Sequence, residues 1–477
     1  MKKENITTIA MLLVTVLLFF GCTQKNKSDK NQNQQLSKPN LVVIMADDMG
    51  YADVGFNGCK DIPTPNIDRI AENGVVFTNA YTTYSVCSPS RAGFITGRYP
   101  QQFGYERNVQ YRVNDPDMGL SKDETTLATF LKQAGYKSGV IGKWHLGAHI
   151  TNHPLNRGFD EFYGHLGGGH RYFPEELTID NSYAATDESQ SYRTWIMRNH
   201  DHEKTDEYLT DEFSNEAVQF VERYKDESFF LYLAYNAPHT PMQATEKYLS
   251  RFPDIQNKKR KTYAAMVSAV DDGVGRVLDK LTELGIEENT MIFFLSDNGG
   301  PEQHNASDNG VLRDGKGSVY EGGFHVPFAM QYKAEIKNGT FNKPVSAMDI
   351  FATMVAITGT PESEEKPLDG VNLLPYLKGE KNGTPHENIY LRKFDQKSFA
   401  VRHNNHKLIT KENGSIRELY NLKEDIGEKK NIISESPEIG SQIDSLRIEW
   451  NKKLKEPAFL GLIHTDAWQK RKKNSKK

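Results

Sequence analysis

Four apolar runs, each closed by a polar cluster, constrain this chain more than any other feature. Leu41–Ala46 ends in Asp47-Asp48, and Tyr136–Ile141 hands over to Gly142-Lys143-Trp144-His145. Phe229–Tyr235 leads to Pro238-His239, and Thr290–Ser296 runs straight into Asp297-Asn298. Short apolar runs of this kind read as strands buried on both faces, the pattern of a parallel sheet. Chain direction then puts all four clusters just past the carboxyl ends of strands, where sites form in open α/β sheets. Thr64–Glu72, Thr126–Ala134, Lys259–Leu284 and Ala347–Ile357 read as helices, and Val75–Ala80 as a further strand. The expected fold is α/β, a large mostly parallel sheet sandwiched by helices.

After Gly359-Thr360-Pro361 the texture changes. Short strand-like pieces (Ile389–Leu391, Phe399–Val401, Leu408-Ile409) precede a helix from Pro437 to Lys455. We read a smaller C-terminal α+β subdomain of antiparallel strands and one helix. A length of 477 residues suits one large and one small domain. The expected partition is 39–360, 361–460 and a basic tail, 461–477. Thr151 to Glu216 is polar and irregular, and is expected to be an insertion lining the substrate entrance.

Lys2 and Lys3 precede an apolar run, Ile9 to Phe20, that is short for a bilayer span. It closes in Gly21-Cys22, which resembles a bacterial lipoprotein signal (1–22) with Cys22 lipidated. An ordinary secretory signal or an uncleaved anchor is the alternative. Residues 23–38 are Asn-, Gln-, Lys- and Ser-rich and read as a tether. Export to the cell envelope follows, with membrane contact through the lipid anchor only. A net charge of -4 gives no reason to expect nucleic acid. If Cys22 carries lipid and Cys87 is the reactive cysteine, Cys59 has no disulfide partner within one chain.

Cys87-Ser88-Pro89-Ser90-Arg91 opens the segment that ends Thr96-Gly97-Arg98. Pro89 suits a first helical turn, whose free N–H groups favour an anion. Arg91 adds a planar, multi-donor cation. Asp47, Asp48, Asp297 and Asn298 offer hard oxygen ligands, which suit Ca²⁺ or Mg²⁺ better than zinc. Lys143 and His145 share one side if the chain stays extended, Pro238 and Pro241 hold His239 in a rigid turn, and Lys316 lies between Gly315 and Gly317.

In chain order, Asp-Asp, Cys-x-Pro-Ser-Arg, Lys-x-His, Pro-His, Asp-Asn and Gly-Lys resemble the formylglycine-dependent sulfatases of the alkaline phosphatase superfamily. The resemblance runs from about Pro39 to Lys455. It implies that a separate maturing enzyme converts Cys87 to formylglycine (3-oxoalanine), and that a divalent cation, usually calcium, is bound by Asp47, Asp48, Asp297, Asn298 and the modified Cys87. It implies that Arg91, Lys143 and Lys316 hold sulfate oxygens, that His239, with Lys316, protonates the leaving oxygen, and that His145 drives sulfate release. The aldehyde's hydrate has a chemical advantage over serine. One hydroxyl attacks sulfur, and deprotonating the other expels sulfate by C–O cleavage and restores the aldehyde.

The resemblance favours sulfated glycans as substrates. Arg107 and Asn108, and His170 and Arg171 in the irregular segment, are candidate sugar contacts. The same residues would also serve a phosphonate monoester hydrolase or phosphodiesterase of this superfamily, or a glycan-binding lipoprotein with a dead site.

Overall fold

A computed structural model describes residues 38–177, 192–361, 363–466 and 469. The signal segment with Cys22, the tether up to Ser37 and the basic end of the tail lie outside the described residues. Strands, in chain order, are β1 (Asn40–Ala46), β2 (Val75–Phe77), β3 (Ala80–Tyr81), β4 (Lys137–Lys143), β5 (Glu161–His165), β6 (Ile196–Arg198), β7 (Asp201–Glu203), β8 (Phe229–Ala234), β9 (Thr290–Ser296), β10 (Phe328–Gln331), β11 (Gly339–Phe341), β12 (Val345–Ser346), β13 (Asn388–Lys393), β14 (Ser398–His403), β15 (His406–Lys411) and β16 (Ile416–Asn421). The longer helices are α1 (Pro65–Glu72), α2 (Cys87–Thr96), α3 (Leu127–Gln133), α4 (Leu209–Arg223), α5 (Lys258–Glu283), α6 (Asp349–Thr358) and α7 (Pro437–Asn451).

One large sheet has the order β11-β2-β10-β9-β1-β8-β4-β5-β6-β7. Its middle, β9-β1-β8-β4-β5, is parallel throughout. Antiparallel β10 and β6 extend it on either side. Successive side chains of a strand point to opposite faces, and β1 shows it. Leu41, Val43 and Met45 enter one apolar cluster with Phe94 and Ile95 of α2, Leu131 of α3 and Met354 of α6. Val42, Ile44 and Ala46 enter the other with Ile67 of α1, Phe220 of α4 and Leu278 of α5. Full burial of each large aliphatic side chain stabilises by about 1.5–3 kcal/mol. A one-residue slip of β1 would exchange its two apolar sets and misplace Asp47 and Asp48.

The second sheet, β13-β14-β15-β16, is an antiparallel meander. Val401, Leu408 and Leu419 on one face pack on Ile443 of α7. Ile389, Leu391, Ala400 and Ile409 on the other face pack on Tyr81, Tyr84 and Phe324 of the main layer. Between the sheets Lys407, fully buried, stands 2.8 Å from Glu321 and 2.9 Å from Glu428. The carboxylate of Glu321 also accepts from Tyr81 and contacts His325.

Several expectations need correction. Residues 151–216 are not simply an irregular insertion: β5 joins the parallel core beside β4, and α4 begins at Leu209. The Glu161–His165 run is short and polar at both ends, so its pairing rests on main-chain hydrogen bonds. Val75–Ala80 is not one strand. β2 stops at Phe77, and Ala80–Tyr81 turns away to pair with Val345–Ser346. The last helix ends at Asn451, short of Lys455.

Candidate active site

The carboxyl ends of β1, β4, β8 and β9 deliver Asp47-Asp48, Lys143, His239 and Asp297-Asn298 to one edge of the sheet. Two residues at these ends have left-handed backbone, Asp48 (φ 65°) and His145 (φ 56°). Such conformations cost free energy in residues with a Cβ and tend to mark functional sites.

Helix α2 begins at Cys87 and is buried along its whole length. Asn108 Oδ1 accepts the Ser88 N–H at 3.0 Å, and Ser88 Oγ donates to the His145 carbonyl at 2.8 Å. Gly93 is required here: a Cβ would lie 2.1 Å from Thr83 Oγ1. Cys87, 1% exposed, places Sγ 3.5 Å from Asp47 Oδ1 and 3.8 Å from Asp48 Oδ1. Lys316 Nζ approaches Sγ at 3.1 Å and Asp48 Oδ1 at 2.7 Å. Lys143 Nζ stands 2.7 Å from Asp47 Oδ2. Arg91 donates Nε–H to Asp297 Oδ2 at 2.8 Å and reaches the Lys143 carbonyl and the Tyr232 hydroxyl. His239 Nε2 lies 3.5 Å from Asp48 Oδ2, while its Nδ1 stands 2.6 Å from the Thr240 carbonyl.

Three carboxylates (Asp47, Asp48, Asp297) thus face three cations, Arg91 and Lys143 out of water and Lys316 with 17% of its side chain exposed. Burial alone would raise Asp47, but Lys143, His239, Arg91 and Lys316 hold it far below the usual carboxylate range. Burial, then Asp47, pushes Asp297 up to about 6. Burial lowers Lys316, yet Asp48 and Cys87 outweigh it and keep the ammonium charged. Burial keeps the Cys87 thiol protonated despite Lys143 and Lys316. Burial, with Lys143 and Arg91, keeps His145 neutral; both its ring nitrogens are buried without a protein partner. Burial also lowers His239, against Asp47 and Asp48.

Oxygen ligands for a hard cation are present. Side-chain ligand atoms of Asp47, Asp48, Cys87 and His239 all lie within 4.8 Å of one another. Asn298 donates Nδ2–H to Asp48 Oδ1 at 2.8 Å and leaves Oδ1 buried with no partner. An orphaned buried oxygen is costly, and beside three carboxylates it suits a Ca²⁺ or Mg²⁺ shell.

The candidate sugar contacts divide. Arg107 is bidentate to Asp395, and Asn108 is spent on the start of α2. His170 is fully buried, its ring nitrogens against the Arg171 and Thr194 carbonyls. It has no open face for a sugar, which corrects that expectation for His170. Arg171 pairs with Glu176 at 3.2 Å. Sequence reasoning missed Tyr232, the hydroxyl against Arg91, and Asn305, which donates to the Asp48 carbonyl. Tyr232 is one aromatic among several in β8, and no local signal separates it.

Residues 39–360 match the sulfatase family, and residues 314–456 match the C-terminal region of N-sulphoglucosamine sulphohydrolase. Human N-acetylgalactosamine-6-sulfatase is 35% identical over 363 residues, 71% of this chain and 66% of its own length. Human arylsulfatase H is 32% identical over 426 residues, covering 74% of this chain and 75% of that one. The crystal structure of Ps i-CgsB superposes with a TM-score of 0.84 at 38% identity, covering 91% of this chain and 97% of that one. A second structure of that protein holds k-i-k-neocarrahexaose. The chain spans about two thirds of the length of its human N-acetylgalactosamine-6-sulfatase relative. With two thirds of its own length inside the family's boundaries, the chain belongs to the sulfatase family.

Proposed function

We propose that this protein hydrolyses sulfate esters on glycans, with formylglycine made from Cys87 as the nucleophile and a divalent cation beside it. The observation that carries the reading is the convergence of Arg91, Lys143 and Lys316 with three carboxylates around Cys87 Sγ. As a plain thiol, Cys87 stays protonated, and only a thiolate is a competent nucleophile. That supports a converted side chain, with Sγ standing in for a hydroxyl of the hydrated aldehyde. A maturing enzyme would have to reach Cys87 before α2 is buried.

Asp47, Asp48, Asp297 and Asn298 would hold the cation, calcium or magnesium. Such an ion lowers the pKa of a bound hydroxyl and offsets sulfate charge. Charge balance favours this: the three carboxylates and three protein cations cancel, so a divalent ion leaves the site positive and an anionic ester offsets part of that charge. Lys316 and Lys143 would bind the equatorial sulfate oxygens, and Arg91 would orient Asp297 and support that charge. His239, with Nδ1 held by the Thr240 carbonyl, presents Nε2 toward the leaving sugar oxygen and hands over a proton only from its charged form, which Asp47 and Asp48 favour against burial. Neutral His145 would take the proton that starts sulfate release.

Glycans are supported by one relative named an N-acetylgalactosamine-6-sulfatase and by another whose structure holds k-i-k-neocarrahexaose, while arylsulfatase H is the relative named for aryl sulfates. The test is sulfate release from defined 2-, 3-, 4- and 6-sulfated sugars and neocarra-oligosaccharides by matured protein. Release from none would end the reading, and faster turnover of an aryl phosphate diester would favour the phosphodiesterase alternative. We also propose export with anchoring through lipidated Cys22; absence of lipid on Cys22 by mass spectrometry of the membrane-associated protein would contradict the lipid anchor.

A further inference from the structure

Lys393 closes β13 and is 6% exposed. Its ammonium donates to the Gly317 carbonyl, next to Lys316, and lies 5.9 Å from the Tyr84 ring centroid. A Cβ on Gly317 would stand 3.7 Å from that ammonium and 3.9 Å from Val86, the neighbour of Cys87. Lys393 therefore reaches from the C-terminal sheet to the two segments that bring Lys316 and Cys87 together.

Other buried cations here have counter-ions: Lys407 has Glu321 and Glu428, Arg392 has Glu106, and Arg91 has Asp297. Among the described residues, no carboxylate oxygen lies within 4.0 Å of Lys393 Nζ. An ammonium has three donors, and Lys393 directs one to a neutral carbonyl. Burying a charge without a partner is costly, and burial draws Lys393 down to about 8. The nearby carboxylate of Asp395 is committed to Arg107 at 2.6 Å and faces His464 at 3.6 Å. Arg107 and His464 thus claim Asp395, and Asp314 adds a second carboxylate beyond ion-pair distance, so neither acid is paired with Lys393.

We propose that Lys393 is the cation of a second anion subsite, which takes another negative charge of the glycan beside the sulfate being cleaved. The charge is an oxyanion on the same or the adjoining sugar, an ester sulfate or a uronate carboxylate. The inference rests on the sulfated-glycan reading and adds that the preferred substrate carries more than one charge.

Three probes test it: N-acetylgalactosamine 6-sulfate, its 4,6-disulfate, and the 6-sulfate with glucuronate attached. Calorimetry on unreactive Cys87→Ala protein should show about tenfold tighter binding of one doubly charged probe than of the singly charged one, worth one well-placed charge pair. Which probe gains tells sulfate from carboxylate. Adding Lys393→Met should erase that preference and Lys393→Arg should keep most of it. In matured enzyme, the same loss should appear in KM for the doubly charged probe. No preference in the parent overturns the subsite. So does a Lys393→Met effect of equal size on every probe, or one confined to kcat, since Lys393 would then merely prop Gly317. A Lys393-dependent preference without sulfate release would sustain the subsite and remove the hydrolase reading.

Discussion

Replacing Lys407 by Met tests the electrostatic clamp between the two sheets. Lys407 is completely buried, at 2.8 Å from the carboxylate of Glu321, in the segment after Lys316, and 2.9 Å from that of Glu428, in the loop after β16. Methionine keeps most of the volume and removes the charge, so little cavity penalty enters. Deleting one partner of a buried ion pair typically costs about 3–5 kcal/mol, because the stranded charge keeps its desolvation penalty. Part of that can be relieved. Burial, and then Glu321, push Glu428 up to about 7 against Lys407, so near neutrality it can take a proton. Glu321 cannot escape so readily: burial would raise it, but Lys407, His325 and Arg402 hold it far below the ordinary range, and two of these remain in the variant. We therefore expect the low end, about 3 kcal/mol at pH 7, or roughly 150-fold in the unfolding equilibrium.

The sign with pH follows. A carboxyl raised in the folded state binds more protons folded than unfolded. Its contribution is fully present below the ordinary carboxyl range and is lost as pH rises through about 7. Losing Lys407 raises Glu428 further, so the deficit of Lys407→Met should grow from pH 6 to pH 8.5. Urea unfolding followed by tryptophan fluorescence at several pH values measures it. A variant within about 0.5 kcal/mol of the parent, the range of ordinary surface changes, would refute the reasoning. A deficit that shrinks with rising pH would refute the assignment to Glu428.

Other outcomes are expected. Cys87→Ala should lower sulfate release at least about 10³-fold while shifting unfolding by no more than about 1 kcal/mol; turnover near the parent's would remove Cys87 as nucleophile. Chelation should abolish activity and lower the melting temperature, and calcium at 100 times its Kd should return about 2.7 kcal/mol; indifference to both would discard the metal assignment. His386, almost buried, lies 2.7 Å from Asp349. Burial opposes its charge, but Asp349 outweighs it and raises the imidazole above its ordinary value. The pair's contribution is full below the ordinary histidine range and fades as pH rises through the raised value, so His386→Gln should flatten that alkaline loss of stability. An unchanged pH profile in His386→Gln would show the pair to be inert.

The sequence by itself determined the sheet's central strands, the end of the sheet that carries polar groups, and the family string from Cys87 to Arg98. Those are local properties: apolar period, chain direction and turn chemistry act over a few residues and need no distant partner. Only the tertiary structure decided that Glu161–His165 pairs with β4, that Ala80–Tyr81 leaves the strand before it, and that His170 is enclosed. It also decided which buried cations find a counter-ion. Lys407 meets Glu321 and Glu428, while Lys393, in the neighbouring part of the same small sheet, meets a carbonyl. Both are lysines in short β-strands, with nothing local to separate them. Their different electrostatics follow from residues far along the chain, brought within 3 Å only when the two sheets pack.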